Sequence, residues 1–198
     1  LGSVLVTVLL TWSPYHYTGQ NYGISVLFLK RRQIPVSDAL RRILKLSFQL
    51  SFALIFVSIN IGGAQPVATA RGYEVSTVSF LSLNLPHWTL LPVLVAYLAS
   101  LVVAATMLLR VASAGKLLPT ALLMLSQALW FSLPVFCIQY GLFPNVEPLQ
   151  LSERTYYFIW IALAHAIQYL WITSYFERSS NRWTGLPAYW GKALLAGS

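Results

Sequence analysis

The stretch WTLLPVLVAYLASLVVAATMLL, residues 88–109, decides the fold class of this chain. Its 22 residues include no Lys, Arg, Asp or Glu, and a helix needs about 20 mostly apolar residues to cross the hydrocarbon core of a membrane. Three other apolar runs are of similar length, and Lys45 is the only fixed charge among them. These runs are residues 43–63, 120–142 and 155–176. The chain is therefore predicted to cross a membrane several times.

The composition agrees with a membrane protein and excludes an ordinary soluble domain. Apolar residues make up 57% of the 198 positions and charged residues only 9%, whereas soluble domains carry about 25% charged residues. The net charge of +8 would indicate nucleic-acid binding in a soluble protein, but here the basic residues border the apolar runs. We therefore expect no nucleic-acid partner.

The predicted fold class is all-α: a polytopic transmembrane helix bundle of about six spans. Four spans are the apolar runs. The two terminal spans are expected to be partial, because residues 1–12 and 190–198 resemble pieces of further apolar helices. We expect a single transmembrane domain over residues 1–198, as a fragment of a slightly longer chain.

Two sets of small residues predict close contacts between helices. Ala96, Ser100 and Ala104 recur at four-residue steps within one apolar run, and Gly19 and Gly23 form a GxxxG step near the N-terminus. Small residues at this spacing let two helix backbones approach closely in lipid. Both sets are therefore predicted to lie at helix–helix contacts.

The distribution of basic residues predicts the orientation. Eleven of the 13 Lys and Arg residues lie in three segments, which alternate along the chain with connections that carry only Arg71 and Arg154. The basic segments are residues 30–45, 110–118 and 178–192. Because cytoplasmic loops are enriched in Lys and Arg, these segments are predicted to be cytoplasmic in a bacterial inner membrane. Loops 64–86 and 143–153 are then expected to face outward.

The N-terminal third is compatible with three structures. An apolar segment lies on either side of the polar sequence SPYHYTGQNYG at 13–23. One alternative is a single crossing from about residue 3 to 29, broken or kinked at Ser13-Pro14. It would be about 39 Å long at 1.5 Å per residue, a length that a membrane accommodates by tilting. The others are a tight hairpin that turns at Ser13-Pro14 and an interfacial helix over 14–29.

Two histidines provide the candidate site. His165 lies 11 residues into its apolar run, and His16 lies at a similar depth if the N-terminal segment is a single crossing. Each has hydrogen-bonding residues three or four positions away, on the same face of its helix, and an ionisable residue inside a membrane is a functional hypothesis by default. The predicted ligand-binding residues are His16, Tyr17, Gln20, Gln127, His165, Gln168 and Tyr169.

The chemistry expected of this site is metal or tetrapyrrole binding, with His16 and His165 as the metal ligands across the bundle. His165, Gln168 and Tyr169 are expected to be mostly buried, because lipid cannot satisfy their polar groups. The alternative is that each histidine is a neutral hydrogen-bond partner between helices. No catalytic residue is assigned.

Two motifs carry a resemblance to known membrane proteins. WSPYHYTGQNYGI at 12–24 and AHAIQYLWI at 164–172 resemble the HYTGQ and HAxQYLW motifs of uncharacterised bacterial multi-pass membrane proteins. They are also similar to stretches of histidine-bearing membrane carotenoid oxygenases of the Brp/Blh type. That second resemblance implies a four-histidine iron site, whereas this chain has three histidines.

Three functions remain as hypotheses. The first is an integral membrane subunit or scaffold of a larger membrane complex, holding a pigment, haem or lipid. The second is a histidine-dependent membrane enzyme acting on a lipid or isoprenoid substrate. The third is a transporter, although the four apolar runs carry no carboxylates for proton or cation coupling. The expected partners are the lipid bilayer and other membrane subunits.

Overall fold

The described chain is mostly helical, and this confirms the all-α prediction. The computed structural model describes residues 1–62, 65–66, 79–133, 135, 153–178, 185 and 187–191, with the backbone alone at 65–66, 153–162, 164 and 168. Its α-helices are α1 Gly2–Arg31, α2 Asp38–Asn60, α3 Leu90–Val111, α4 Ala114–Phe131 and α5 Glu153–Glu177. A short 3-10 helix, His87–Thr89, leads directly into α3.

Among the described residues, two very short strands accompany the helices. β1 (Gln65–Pro66) pairs antiparallel with β2 (Ser79–Phe80), with Gln65 opposite Phe80. The chain divides by its internal contacts into two compact units, Leu1–Phe158 and Ile159–Ser198. The helices α1 to α4 belong to the first unit and most of α5 to the second. The expectation of a single domain stays a prediction.

Two of the described helices are long and apolar enough to cross a membrane. They are α2, with a mean hydropathy of 1.7, and the segment His87–Val111, with a mean hydropathy of 2.2. Only 28% of the apolar stretch in His87–Val111 is buried, against 50% in α2. The six-span count stays a prediction. Pro134, where a proline within an apolar run predicts a helix kink, lies outside the described residues.

The first helix answers the question left open about the N-terminal third. α1 runs without interruption through Pro14, so the hairpin is wrong, and the helix does not begin at residue 14 as the interfacial alternative required. A proline inside a helix removes one backbone hydrogen bond and crowds the carbonyl four residues earlier, and packing of the buried face of α1 offsets that cost. This face includes Ser13, Pro14, Thr18, Asn21, Ser25, Phe28 and Leu29. A single helix over this segment is observed, as in the single-crossing alternative, but without the break expected at Ser13-Pro14. α1 is not among the described helices that are long and apolar enough to cross a membrane, so its crossing stays a prediction.

The basic segments 30–45 and 110–118 meet at one end of the first unit. Arg32 Nη1 donates to the backbone oxygens of Gly115, at 2.8 Å, and Lys116, at 3.2 Å. Beneath this contact lies a core of apolar side chains: Leu29, Ile34, Leu40, Leu44, Phe48, Ala104, Leu108 and Leu117. The two segments therefore share one end of the helices, as the orientation prediction requires of them.

The start of α2 is fixed by its own capping residue. Ser37 Oγ accepts a hydrogen bond from the Leu40 backbone N–H at 3.2 Å, and Asp38 stands in the first turn. A hydroxyl cap satisfies a backbone donor that the helix leaves unpaired, and a carboxylate there interacts favourably with the helix dipole. α2 therefore begins at Asp38, directly after the short connection that follows α1.

At the opposite end, α1 and α2 hold the segment that precedes α3. Asn60 Oδ1 accepts from the Leu83 backbone N–H at 3.0 Å, and the Asn60 backbone oxygen accepts from Leu85 at 2.8 Å. Thr7 Oγ1 on α1 accepts from the Leu81 backbone N–H at 2.8 Å. Residues 81–85 are thus tied by their backbone to the ends of both helices.

The predicted small-residue contacts are partly wrong. Ser100 and Ala104 are buried on α3, but Ala96 is exposed, because Tyr97 occupies the buried face at that level. Gly19 and Gly23 do not lie at a helix contact either, since a Cβ added at each would meet nothing within 4 Å. The short polar residues Thr18, Asn21 and Ser25 lie on the buried face of α1, and the glycines do not.

Candidate functional site

Gln127 on α4 is the centre of a buried polar cluster that joins three helices. Its Nε2 donates to Thr18 Oγ1 on α1 at 3.1 Å and to Ser51 Oγ on α2 at 2.9 Å. Its Oε1 accepts from Asn21 Nδ2 on α1 at 2.5 Å. Gln127, Thr18 and Asn21 are each 2% exposed and Ser51 is 0% exposed. Both amide hydrogens and the carbonyl oxygen of Gln127 are therefore used inside the protein.

Helical spacing explains how these short side chains reach one point. Thr18 and Asn21 stand three residues apart on α1, so they share a face. Ser51 stands on the buried face of α2 and donates its own hydroxyl hydrogen to the Phe48 backbone oxygen at 2.7 Å. Its oxygen is thereby left to accept from Gln127. The cluster, hereafter the Gln127 cluster, consists of Thr18, Asn21, Ser51 and Gln127.

A very small cavity adjoins the Gln127 cluster. Its volume is about 10 Å³, and its lining includes Ser47, Tyr97, Met124 and Gln127. A single water molecule needs roughly that much space, so this cavity is far too small for a tetrapyrrole or a pigment. The Tyr97 hydroxyl has no hydrogen-bond partner among the described residues. The surroundings of Gln127 that the structure describes are thus a polar packing centre without room for such a ligand.

A larger opening lies between α1 and α2, and it is hereafter called the α1–α2 groove. Its volume is about 390 Å³. The polar side chains in its lining include His16, Gln20, Lys45 and Gln49, and the aromatic ones are Tyr15, Tyr22, Phe48 and Phe52. A volume of this size falls within the range of small-ligand sites. The groove is therefore the better candidate for binding.

Of the predicted residues on α1, His16 and Gln20 line the groove, whereas Tyr17 is not part of its lining. His16 is exposed, whereas Tyr17 and Gln20 are half-buried. The His16 ring stacks on Trp12 with the ring centroids 4.8 Å apart and also meets Tyr17 at 6.0 Å. The structure brings His16 and Gln20 together in the groove lining, but Gln127 makes its hydrogen bonds with Thr18, Asn21 and Ser51 instead. The sequence prediction placed His16, Gln20 and Gln127 in one site, whereas the structure places the first two in the α1–α2 groove and Gln127 in the buried cluster.

The predicted residues on α5 belong to the second unit. His165 is half-buried, and its ring centroid is 6.3 Å from that of Tyr169. Tyr169 is 54% exposed, so the expectation that most of its surface is buried is wrong. A helix with aromatic and apolar residues around its whole circumference leaves some of them on the outside. The Gln168 side chain lies outside the described residues.

Metal binding by His16 and His165 stays a prediction. The two residues lie in different units of the chain. Within the described ranges, no three His, Cys, Asp or Glu side chains form a group that could hold a metal ion. The tetrapyrrole alternative likewise stays a prediction.

Sequence reasoning missed Thr18, Asn21 and Ser51 as partners of Gln127. Thr18, Asn21 and Ser25 form a row of short polar residues at helical spacing on α1, and this row was the available signal. It predicts a buried face, because short polar side chains inside a membrane bundle satisfy each other across helices. The site residues on α1 were instead chosen around the ionisable His16, which lies on the neighbouring face of the same helix.

The comparisons with known proteins gave no match: the chain matches no protein-family model, no curated protein and no solved structure.

Proposed function

We propose that the protein is an integral, multi-pass membrane protein of a bacterial inner membrane, serving as a lipid-holding subunit or scaffold of a larger complex. One observation carries this proposal: in the first unit a set of polar side chains is buried between helices, while many large apolar side chains of α3 and α4 are exposed. The Gln127 cluster is buried, whereas most of the long apolar segment His87–Val111 is not.

Most of the exposed residues of α3 are apolar. Its large hydrophobic side chains that are at least 44% exposed are Leu91, Val95, Leu98, Val102, Val103 and Leu109. α4 adds a second row: Leu118, Leu122, Leu125 and Leu129. Exposed apolar area costs about 25 cal/mol per Å² in water, and soluble proteins rarely expose large contiguous apolar patches. Lipid chains or apolar faces of other subunits remove that cost.

The hydrogen bonding of the Gln127 cluster supports a scaffold rather than an enzyme. Polar residues between membrane helices hold those helices together by bonding to one another. Gln127 is fully occupied in this way by residues of α1 and α2. The cluster therefore stabilises the bundle and leaves ligand contacts to the α1–α2 groove.

One observation favours the histidine-dependent enzyme as a second candidate. His16 lines the α1–α2 groove together with Lys45 and aromatic side chains. An imidazole can act as a general acid or base near neutral pH. A lipid or isoprenoid substrate lying in this groove would reach the His16 ring.

Two measurements test the proposal and separate it from the alternative. Alkaline carbonate should leave the full-length protein in the membrane pellet, and its release into the supernatant would contradict membrane integration. The purified protein should then be scanned for metals and visible absorbance, and its bound lipid should be extracted and quantified. We expect bound phospholipid and metal far below one equivalent. Iron or zinc near one equivalent would favour the enzyme.

A further inference from the structure

The two ends of the α1–α2 groove differ in chemical character: one carries a charged residue and the other is aromatic. α1 and α2 run antiparallel, because the Tyr22 ring meets Phe48 at 6.3 Å and the Tyr15 ring meets Phe52 at 5.5 Å. Lys45 therefore lies near the Tyr22 end, toward the connection between the two helices. From Lys45 to Phe52 the groove extends for about 10 Å along α2, at 1.5 Å per residue.

The Lys45 end of the groove carries a positive charge without a compensating carboxylate. Among the described residues that line the groove, none is acidic, and the amides of Gln20 and Gln49 supply further hydrogen-bond donors. Arg41 and Arg42 are exposed one turn closer to the start of α2. An ammonium with amide donors beside it suits a phosphate group, because hydrogen bonds between charged partners are the strong ones.

The Tyr15 and Phe52 end of the groove suits an acyl chain. Aromatic rings form its walls, and Gly19 leaves the space between them open, since a Cβ there would meet nothing within 4 Å. An inorganic anion would use only the Lys45 end, and an uncharged hydrocarbon would use only the aromatic end. The volume of about 390 Å³ accommodates a headgroup with the adjoining part of one chain.

We propose that the α1–α2 groove binds an anionic membrane phospholipid, with its phosphate at Lys45 and one acyl chain along Tyr15 and Phe52. This inference rests on the proposed membrane function and deepens it by naming the class of lipid and its site. In the proposed orientation, Lys45 lies two turns inside α2 from the cytoplasmic end. That leaflet carries the anionic lipids to which Lys and Arg side chains are attracted.

Native mass spectrometry of the full-length protein in a neutral detergent tests the site. Dioleoylphosphatidylglycerol and dioleoylphosphatidylcholine are added separately, and the apparent Kd of the first bound lipid is measured. We expect phosphatidylglycerol to bind about tenfold more tightly, since its headgroup is a net anion, whereas the choline cation of phosphatidylcholine offsets the phosphate charge beside Lys45. Equal affinity for the two lipids would overturn the proposal. Displacement of phosphatidylglycerol by millimolar inorganic phosphate would also overturn it, because the site would then bind a free anion.

Two matched pairs of variants locate the bound lipid. Lys45→Gln and Arg41→Gln remove the same charge from one helix, but only Lys45 lines the groove. Gly19→Leu and Gly23→Leu add the same side chain to exposed positions of α1 where a Cβ meets nothing within 4 Å, but only Gly19 lines the groove. All four positions are exposed, so the variants are expected to fold.

The expected result is specific to the groove members of each pair. Lys45→Gln and Gly19→Leu should each weaken phosphatidylglycerol binding by about tenfold, and Arg41→Gln and Gly23→Leu by no more than about threefold. If both members of either pair lost the same phosphatidylglycerol affinity, the assignment of the site would be overturned. A dimer whose formation excludes lipid from the groove would overturn it as well. Carbonate extraction is independent of these affinities. Loss of lipid selectivity in a protein that stays in the membrane pellet would refute this inference alone.

Discussion

Asn21 on the first helix donates its side-chain amide to the Gln127 carbonyl oxygen on the fourth helix at 2.5 Å. The two residues are 106 positions apart in sequence, and each is only 2% exposed. Polar groups buried without a partner are costly in a low-dielectric interior. The contact therefore holds α1 against α4, and through Ser51 it also includes α2.

Gln127→Leu should destabilise the protein by about 1–3 kcal/mol, because Asn21, Thr18 and Ser51 would each lose a partner while remaining buried. The free energy of unfolding can be measured by titrating SDS into dodecylmaltoside micelles and following the circular dichroism. Gln49→Leu is the matched control, since Gln49 is exposed on α2. An equal loss in both variants would show that the Gln127 cluster has no special role.

A double-mutant cycle isolates the bond between Asn21 and Gln127. Asn21→Ala and Gln127→Ala, alone and together, should give a coupling energy of about 0.5–2 kcal/mol, which is the range found for hydrogen bonds between membrane helices. The double variant should be less destabilised than the sum of the two single variants, because neither amide is then left unpaired. Strict additivity would contradict an energetic link between α1 and α4.

Ala104→Leu tests the packing of α3 at the basic end. Ala104 is 0% exposed and packs with Leu44, Phe48 and Leu108, so three additional carbons should cost about 1–3 kcal/mol of stability. The neighbouring Ala105 is exposed, and Ala105→Leu should change the stability by less than about 0.5 kcal/mol. Thermal unfolding of both variants in the same detergent provides the comparison. A harmless Ala104→Leu would show that α3 packs through another face.

The helices were predictable because their physical causes are local. Three of the apolar runs agree in position with α2, α3 and α5, and the run 120–142 overlaps α4 only in part, since length and hydropathy depend on neighbouring residues. The boundary at Ser37 follows from a hydroxyl cap. The continuity of α1 through Pro14 was not decided by the sequence, because it depends on packing of the buried face against other helices. Local signals at Ser13-Pro14 are equally compatible with a turn.

The site was less predictable because it depends on which faces of the helices meet. Gln127 was predicted as a ligand-binding residue, but its observed partners stand on α1 and α2, and sequence spacing gives no register between helices. His16 attracted attention as an ionisable residue, yet it lies on the groove side of α1 and not beside Gln127. The small-residue steps failed in the same way, since Ala96 and Gly19 have the right spacing on the wrong face.

Side-specific cysteine labelling tests the central claim most directly, namely that the first unit spans a membrane with its basic end in the cytoplasm. In a Cys137→Ser background, Ser113→Cys marks the end where Arg32 contacts Gly115, and Leu83→Cys marks the end held by Asn60. A membrane-impermeant maleimide should label position 83 only in right-side-out vesicles and position 113 only in inside-out vesicles. Labelling of both positions from the same side would contradict the account.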